Sequence, residues 1–174
     1  MRIFDDLSFF ETQKAQLLFR QARSSVYNYG TSPQSVITSI DITGLERQAL
    51  YCRDVRKSTI REKFFQRRRN QNFLSIEYIC EGEIYIRSGQ RSYVAEAGDL
   101  CLLHPFRNND LLYLPSDPCV KYGLILEGVA LVEILKLLRL DSLEAVKICD
   151  GEALEELFGR IRRSLKNVSQ SEVR

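Results

Sequence analysis

From Phe73 to Pro105 the sequence leaves room for little other than short antiparallel strands. Leu74, Ile76, Tyr78 and Cys80 alternate with Ser75, Glu77 and Ile79, close to the two-residue period of a half-buried strand. Gly82 breaks the run. Ile84 and Ile86 then alternate with Tyr85 and Arg87, and Ser88-Gly89-Gln90 has the composition of a hairpin turn. Tyr93 to Ala95 forms the return strand, Gly98-Asp99 makes a second turn, and the apolar run Leu100 to Leu103 stops at Pro105. Strands of this length joined by glycine turns predict an antiparallel barrel or sandwich.

The rest of the chain sets outer bounds. At 174 residues and 44% hydrophobic content it is long enough for one domain with a real core. A formal charge of +2 is too mild to argue for nucleic acid. No apolar run approaches the length of a bilayer span, and Met1 to Asp6 lacks the apolar centre of a secretory signal, so a cytoplasmic location without membrane contact is expected. The five cysteines are scattered and never spaced Cys-x-x-Cys, which points to reduced thiols rather than a disulfide framework or a zinc site.

Taken in order, Ser8 to Glu11 has capping-box spacing, and the proline-free run through Tyr29 predicts an N-terminal helix within residues 1–34. Residues 35–127 read as the β unit. Between Arg53 and Arg69 basic residues crowd together, either as an anion- or DNA-contacting surface or as a solvated edge hairpin whose charges block edge-to-edge pairing. The absence of base-reading motifs favours the second reading. Residues 128–168 read as helices. Leu131, Ile134, Leu135 and Leu138 follow helical spacing, and Asp150 is placed to cap a last helix with an apolar face of Leu154, Leu157, Phe158, Ile161 and Leu165. That face is the expected homodimer interface, and its replacement by glutamates at Phe158 and Ile161 is expected to give a monomer. Residues 169–174 read as a tail or the start of a linker.

The segment Phe64 to Val168 resembles the cupin-like effector-binding domain of AraC-type transcription regulators. The resemblance is carried by Tyr78-Ile79 before Gly82, the Ile84/Ile86 pair, Gly98-Asp99 followed by four apolar residues and Pro105, and Asp117-Pro118 before the strand Tyr122 to Leu126. It implies a cupin-like antiparallel jelly-roll barrel (a double-stranded β-helix) followed by C-terminal helices. It also implies a small-molecule effector in the barrel, homodimerisation, and DNA contact only through a helix-turn-helix region not present in this chain. The chain is then expected to be either a fragment of a regulator or a free-standing sensor. Glu81 and Lys121 fall near positions that line the effector pocket in the family. Where many members have a histidine shortly after the proline, this chain has Asn109.

The residues themselves argue against catalysis. A metal-dependent cupin enzyme needs two or three histidines, and His104 is the only one. Cys101 and His104, three apart, fall on opposite strand faces, and no nucleophile elbow, P-loop or dinucleotide motif occurs. No cofactor or metal is expected. The strand tyrosines, Tyr78 and Tyr113 among them, can stack on a ligand such as a sugar, or can simply be half buried at sheet margins. His104 can contact a ligand or bond to the neighbouring turn. The alternatives are a small metal-independent cupin enzyme such as a sugar isomerase, with Glu77 and Glu81 converging, and a ligand-free oligomerising module.

Overall fold

The computed structural model describes residues 2–3, 25–30, 34–39, 45, 47–114 and 117–171, and for residues 2–3, 25–30 and 168–171 the backbone only. The strands in chain order are β1 (Arg2–Ile3), β2 (Ser25–Gly30), β3 (Gln34–Ser39), β4 (Tyr51–Ile60), β5 (Phe64–Arg69) and β6 (Leu74–Glu81). They continue with β7 (Glu83–Ser88), β8 (Arg91–Glu96), β9 (Asp99–Leu103), β10 (Asn109–Tyr113) and β11 (Cys119–Glu127). Helix α1 (Leu131–Leu137), β12 (Ala145–Lys147) and helix α2 (Gly151–Ser171) complete the described chain.

Two six-stranded sheets result, ordered β1-β8-β7-β10-β5-β2 and β12-β9-β6-β11-β4-β3, with every pairing antiparallel. From β4 to β11 the chain changes sheet at each connection except the β7–β8 hairpin, which is the winding of a jelly roll. The strands and turns expected between Phe73 and Pro105 are present as β6 to β9.

The interior between the sheets is apolar over much of its length, with Ile60 and Ile79 facing Phe64, Ile84, Ile86 and Leu111. The opposite face of the second sheet is covered as well. Helix α2 lays Phe158 and Leu165 on Val55, Tyr78 and Leu124, and α1 lays Leu131 and Leu135 on Leu74 and Leu102. Both parities of β6 are therefore buried, one by the other sheet and one by helices.

Several boundaries differ from the sequence expectation. Most of the expected N-terminal helix lies outside the described residues, but its end, Ser25–Gly30, is a strand paired with β5. The second sheet also gains β12, so a strand interrupts the expected helical segment 128–168. The basic stretch is not a solvated edge: β4 lies between β3 and β11, β5 between β10 and β2, and Arg67 and Arg68 are buried. Asp150 does cap α2, its Oδ1 accepting from the Ala153 N–H at 3.0 Å.

The expected dimer face is occupied by the chain's own sheet. Phe158 and Leu165 are buried there, Leu154 and Ile161 pack beside them, and Phe158 stacks on Tyr122 with ring centroids 5.1 Å apart. Leu157 alone of the five is exposed. A lone hydrophobic stripe satisfies an intramolecular sheet as readily as a second copy, and the sheet is nearer.

Candidate functional site

The interior turns polar towards one end of the barrel. Glu77 points inward from β6 and is 1% exposed. It accepts from Lys121 Nζ at 2.6 Å, Arg68 Nη2 at 2.9 Å and Ser75 Oγ at 2.7 Å. Arg68 reaches it from the opposite sheet, so the network ties the two walls together. The ammonium of Lys121 also lies 5.5 Å from the centre of the Tyr113 ring. Beside Glu77 in the ladder is Gly123, where an added Cβ would sit 3.0 Å from Arg56 Cγ and 3.1 Å from Glu77 Oε2. The missing side chain is what makes room for the ion network.

Burial alone would raise the Glu77 carboxyl, but Lys121 and then Arg68 overcome it and hold it well below the usual carboxylate range. Asp110, on the outward face of β10, behaves alike: against burial, Arg67 at 2.7 Å and Arg69 keep it low. Four thiols, Cys101 and Cys119 buried inside and Cys52 and Cys80 partly buried on the outer face, are pushed the other way, Cys52 and Cys80 to about 12 and Cys119 to about 11 by burial above all, with Cys101 likewise raised. These are protonated, unreactive thiols.

Further towards the barrel end, one ladder row carries groups without partners. Arg68, Asn109 and Ser88 are directly paired across β5, β10 and β7, and all face inward by their parity with Phe64, Leu111 and Ile86. Each is at most 4% exposed, yet Arg68 Nη1, Asn109 Oδ1 and Ser88 Oγ have no hydrogen-bond partner among the described residues. Buried polar atoms are rarely left so. Ser88 also lines a cleft of about 340 Å3, bounded by the β7–β8 turn, Arg91, Arg107, Ser142 and Glu144. Glu144 is fixed through its carbonyl, which accepts from the Leu102 N–H at 2.8 Å and the Tyr93 hydroxyl at 3.3 Å.

The sequence-expected ligand residues separate in this frame. Lys121 and Tyr113 are inside the barrel, in the ion network. Tyr78 is not: it faces α2, and its hydroxyl lies 2.3 Å from where a Cβ on Gly151 would be. Its alternation with Glu77 puts the tyrosine outward and the carboxylate inward. Glu81 is exposed at the end of β6, opposite the irregularity between Val120 and Lys121. His104 is buried beside the cleft, and its Nε2–H donates to the Leu143 carbonyl at 2.7 Å, so it holds the segment that roofs the cleft. Arg68, Ser88, Arg91, Arg107 and Glu144 were not legible as site residues; Asn109 carried a signal, standing where the family resemblance expects a histidine. Among the described residues no three His, Cys, Asp or Glu side chains converge to hold a metal, and no helix is long and apolar enough to cross a membrane.

The depressed carboxyls and His104, which burial lowers below its usual value, give stability a definite pH dependence. For each group the unfolded chain takes up the proton first, so stability rises with pH across the interval between folded and unfolded values. Urea midpoints are expected to fall in two stages on acidification: a small one below about pH 6.5, from His104, and a larger one below about pH 4, from Glu77 and Asp110. His104→Gln should remove the first stage only.

A family model described as the AraC-like ligand binding domain matches residues 55–173. No curated protein matches the chain. Among solved structures, the chain is similar to a cupin 2 domain-containing protein from Halorhodospira halophila, with 11% identity, 62% of this chain and 79% of that one covered, and a TM-score of 0.43. It is also similar to a cupin 2 conserved barrel domain protein from Salinispora arenicola (11% identity, 70% and 91% covered, TM-score 0.40). A third is the cupin domain of an XRE family transcriptional regulator from Enterobacter cloacae (10% identity, 60% and 96% covered, TM-score 0.40).

Proposed function

The chain belongs to the AraC-like ligand-binding domain family, and from that premise we propose that it is the effector-sensing part of an AraC-type transcription regulator, taking up a small polar molecule at the polar end of its barrel. The observation that carries the proposal is the inward row Arg68–Asn109–Ser88 with its unmet hydrogen bonds, a row that meets the cleft at Ser88. Unsatisfied buried groups cost stability, and a ligand that satisfies them recovers it. The regulator acts in the cytoplasm, and DNA is contacted by a region outside this sequence. Dimerisation through the apolar face of α2 is not part of the proposal, because that face is spent on the sheet.

Sensing rather than turnover is supported by burial raising the thiols of Cys52, Cys80, Cys101 and Cys119 and by Glu77 being locked as an ionised acceptor, unable to donate a proton near neutral pH. A metabolite screen by thermal unfolding tests the proposal. A ligand at a hundred times its Kd is expected to add about 2.7 kcal/mol, or roughly 5–10 °C in Tm for a chain of this size. The same ligand should be recovered unchanged by NMR after prolonged incubation. Conversion of the ligand would make the protein an enzyme and overturn the sensor reading.

A further inference from the structure

The cleft carries chemistry more specific than polarity. Arg91 and Arg107 both point at one oxygen, Glu144 Oε1, at 3.6 and 3.4 Å. Those are long contacts for guanidinium–carboxylate pairs, whose hydrogen bonds are nearer 2.8 Å. Arg107 spends one further amino group on the Asp141 carbonyl at 2.9 Å. Two guanidiniums sharing a single carboxylate leave the cleft with one net positive charge and several unused donors.

Deeper in, the row behind Ser88 fixes what else is needed. Asn109 Nδ2 lies 3.3 Å from both the His104 and the Arg107 carbonyls, so the amide nitrogen must face them and Oδ1 must face away. Oδ1 therefore requires a donor. Arg68 Nη1 requires an acceptor, and Ser88 Oγ takes either role. A hydroxyl is the small group that donates and accepts at once.

Resting on the sensor reading, we infer that the effector is a small hydroxylated carboxylic acid. Its carboxylate is received by Arg91 and Arg107 at the cleft, and a hydroxyl is passed inward to Ser88 and Asn109. A neutral sugar satisfies the inner row but leaves the arginines unmatched. A simple fatty or aliphatic acid satisfies the arginines but leaves the inner row unmatched.

The test is calorimetric titration of this chain with matched probes: gluconate against glucose, glycerate against glycerol, and lactate against propionate. At least one hydroxy acid is expected to bind about tenfold or more tightly than its partner: against glucose and glycerol through the charged hydrogen bonds at the arginines, against propionate through the bonds its hydroxyl makes to the inner row. Arg91→Ala, at a side chain 73% exposed, should weaken that acid by a similar factor and leave Tm of the free protein unchanged; Arg107→Ala should weaken it as much, with a small fall in Tm from its lost bond to the Asp141 carbonyl. Ser88→Ala should weaken it too, while the Tm of the free protein stays the same or rises, because an unpaired buried hydroxyl is removed. Neutral polyols binding as tightly as the acids, or acids binding with undiminished affinity to the arginine variants, would overturn the inference and leave the sensor reading standing. Binding of no probe, with no hit in the wider metabolite screen, would overturn both.

Discussion

Replacing Glu77 with leucine is expected to cost about 3–5 kcal/mol of folding stability, because it strands two cations inside the barrel. Lys121 is 5% exposed and Arg68 4%, and among the described residues this carboxylate is the only acid bonded to either. Lys121→Met should cost less, about 1–3 kcal/mol, since Glu77 would keep its bonds from Arg68 and Ser75. Urea unfolding at neutral pH measures both, with the midpoint moving and the slope constant. Equal losses in the two variants would mean that the network is not centred on the carboxylate.

The second large effect concerns α2. Phe158→Ala is expected to cost about 3–5 kcal/mol, the usual loss for a phenylalanine taken out of a packed site. Phe158→Glu should leave no folded population, because a charge would be pressed against Tyr122 and the outer face of the sheet without a partner. Leu157→Glu, one residue away on the exposed side, should stay within about 0.5 kcal/mol of the parent. A Phe158→Glu protein that remains folded with an unchanged urea midpoint would show that α2 does not dock on its own sheet.

The contrast between these positions explains what the sequence could convey. Alternation from Leu74 to Cys80 identified a strand, and the glycine turns after it identified its neighbours. Alternation cannot say which face meets the lumen when both faces are covered. Here the usual polarity is reversed: Leu74, Ile76 and Tyr78 face the helices, while Ser75 and Glu77 face the barrel interior. That is why Tyr78 looked like a ligand contact and Glu77 did not. Lys121, which the family resemblance put near the pocket, faces the interior bonded to Glu77, whereas Glu81, put there on the same ground, is exposed at the strand end. Arg53 and Arg56 have Asp54 beside them, but the two buried arginines of the stretch looked solvated because their acidic partners are distant in sequence: Arg68 meets Glu77 nine residues on, and Arg67 meets Asp110 at a separation of 43. Nothing in local composition announces such pairs. The cleft was hidden for a related reason, being built from the β7–β8 turn, the loop before β10 and residues 142–144, three segments that only the winding of the barrel brings together.

The roof of the cleft and the start of α2 are coupled by chain length alone. Glu144 overhangs the arginines, Ala145–Lys147 is locked in register to β9, and Asp150 caps the helix. The Ile148 N–H is tied back to the Gly98 carbonyl at 2.9 Å, so almost no slack remains between roof and cap. With so few free torsions in between, a shift of the Glu144 backbone cannot dissipate in a loop. It must either be refused by β9 or be delivered to the first turn of the helix.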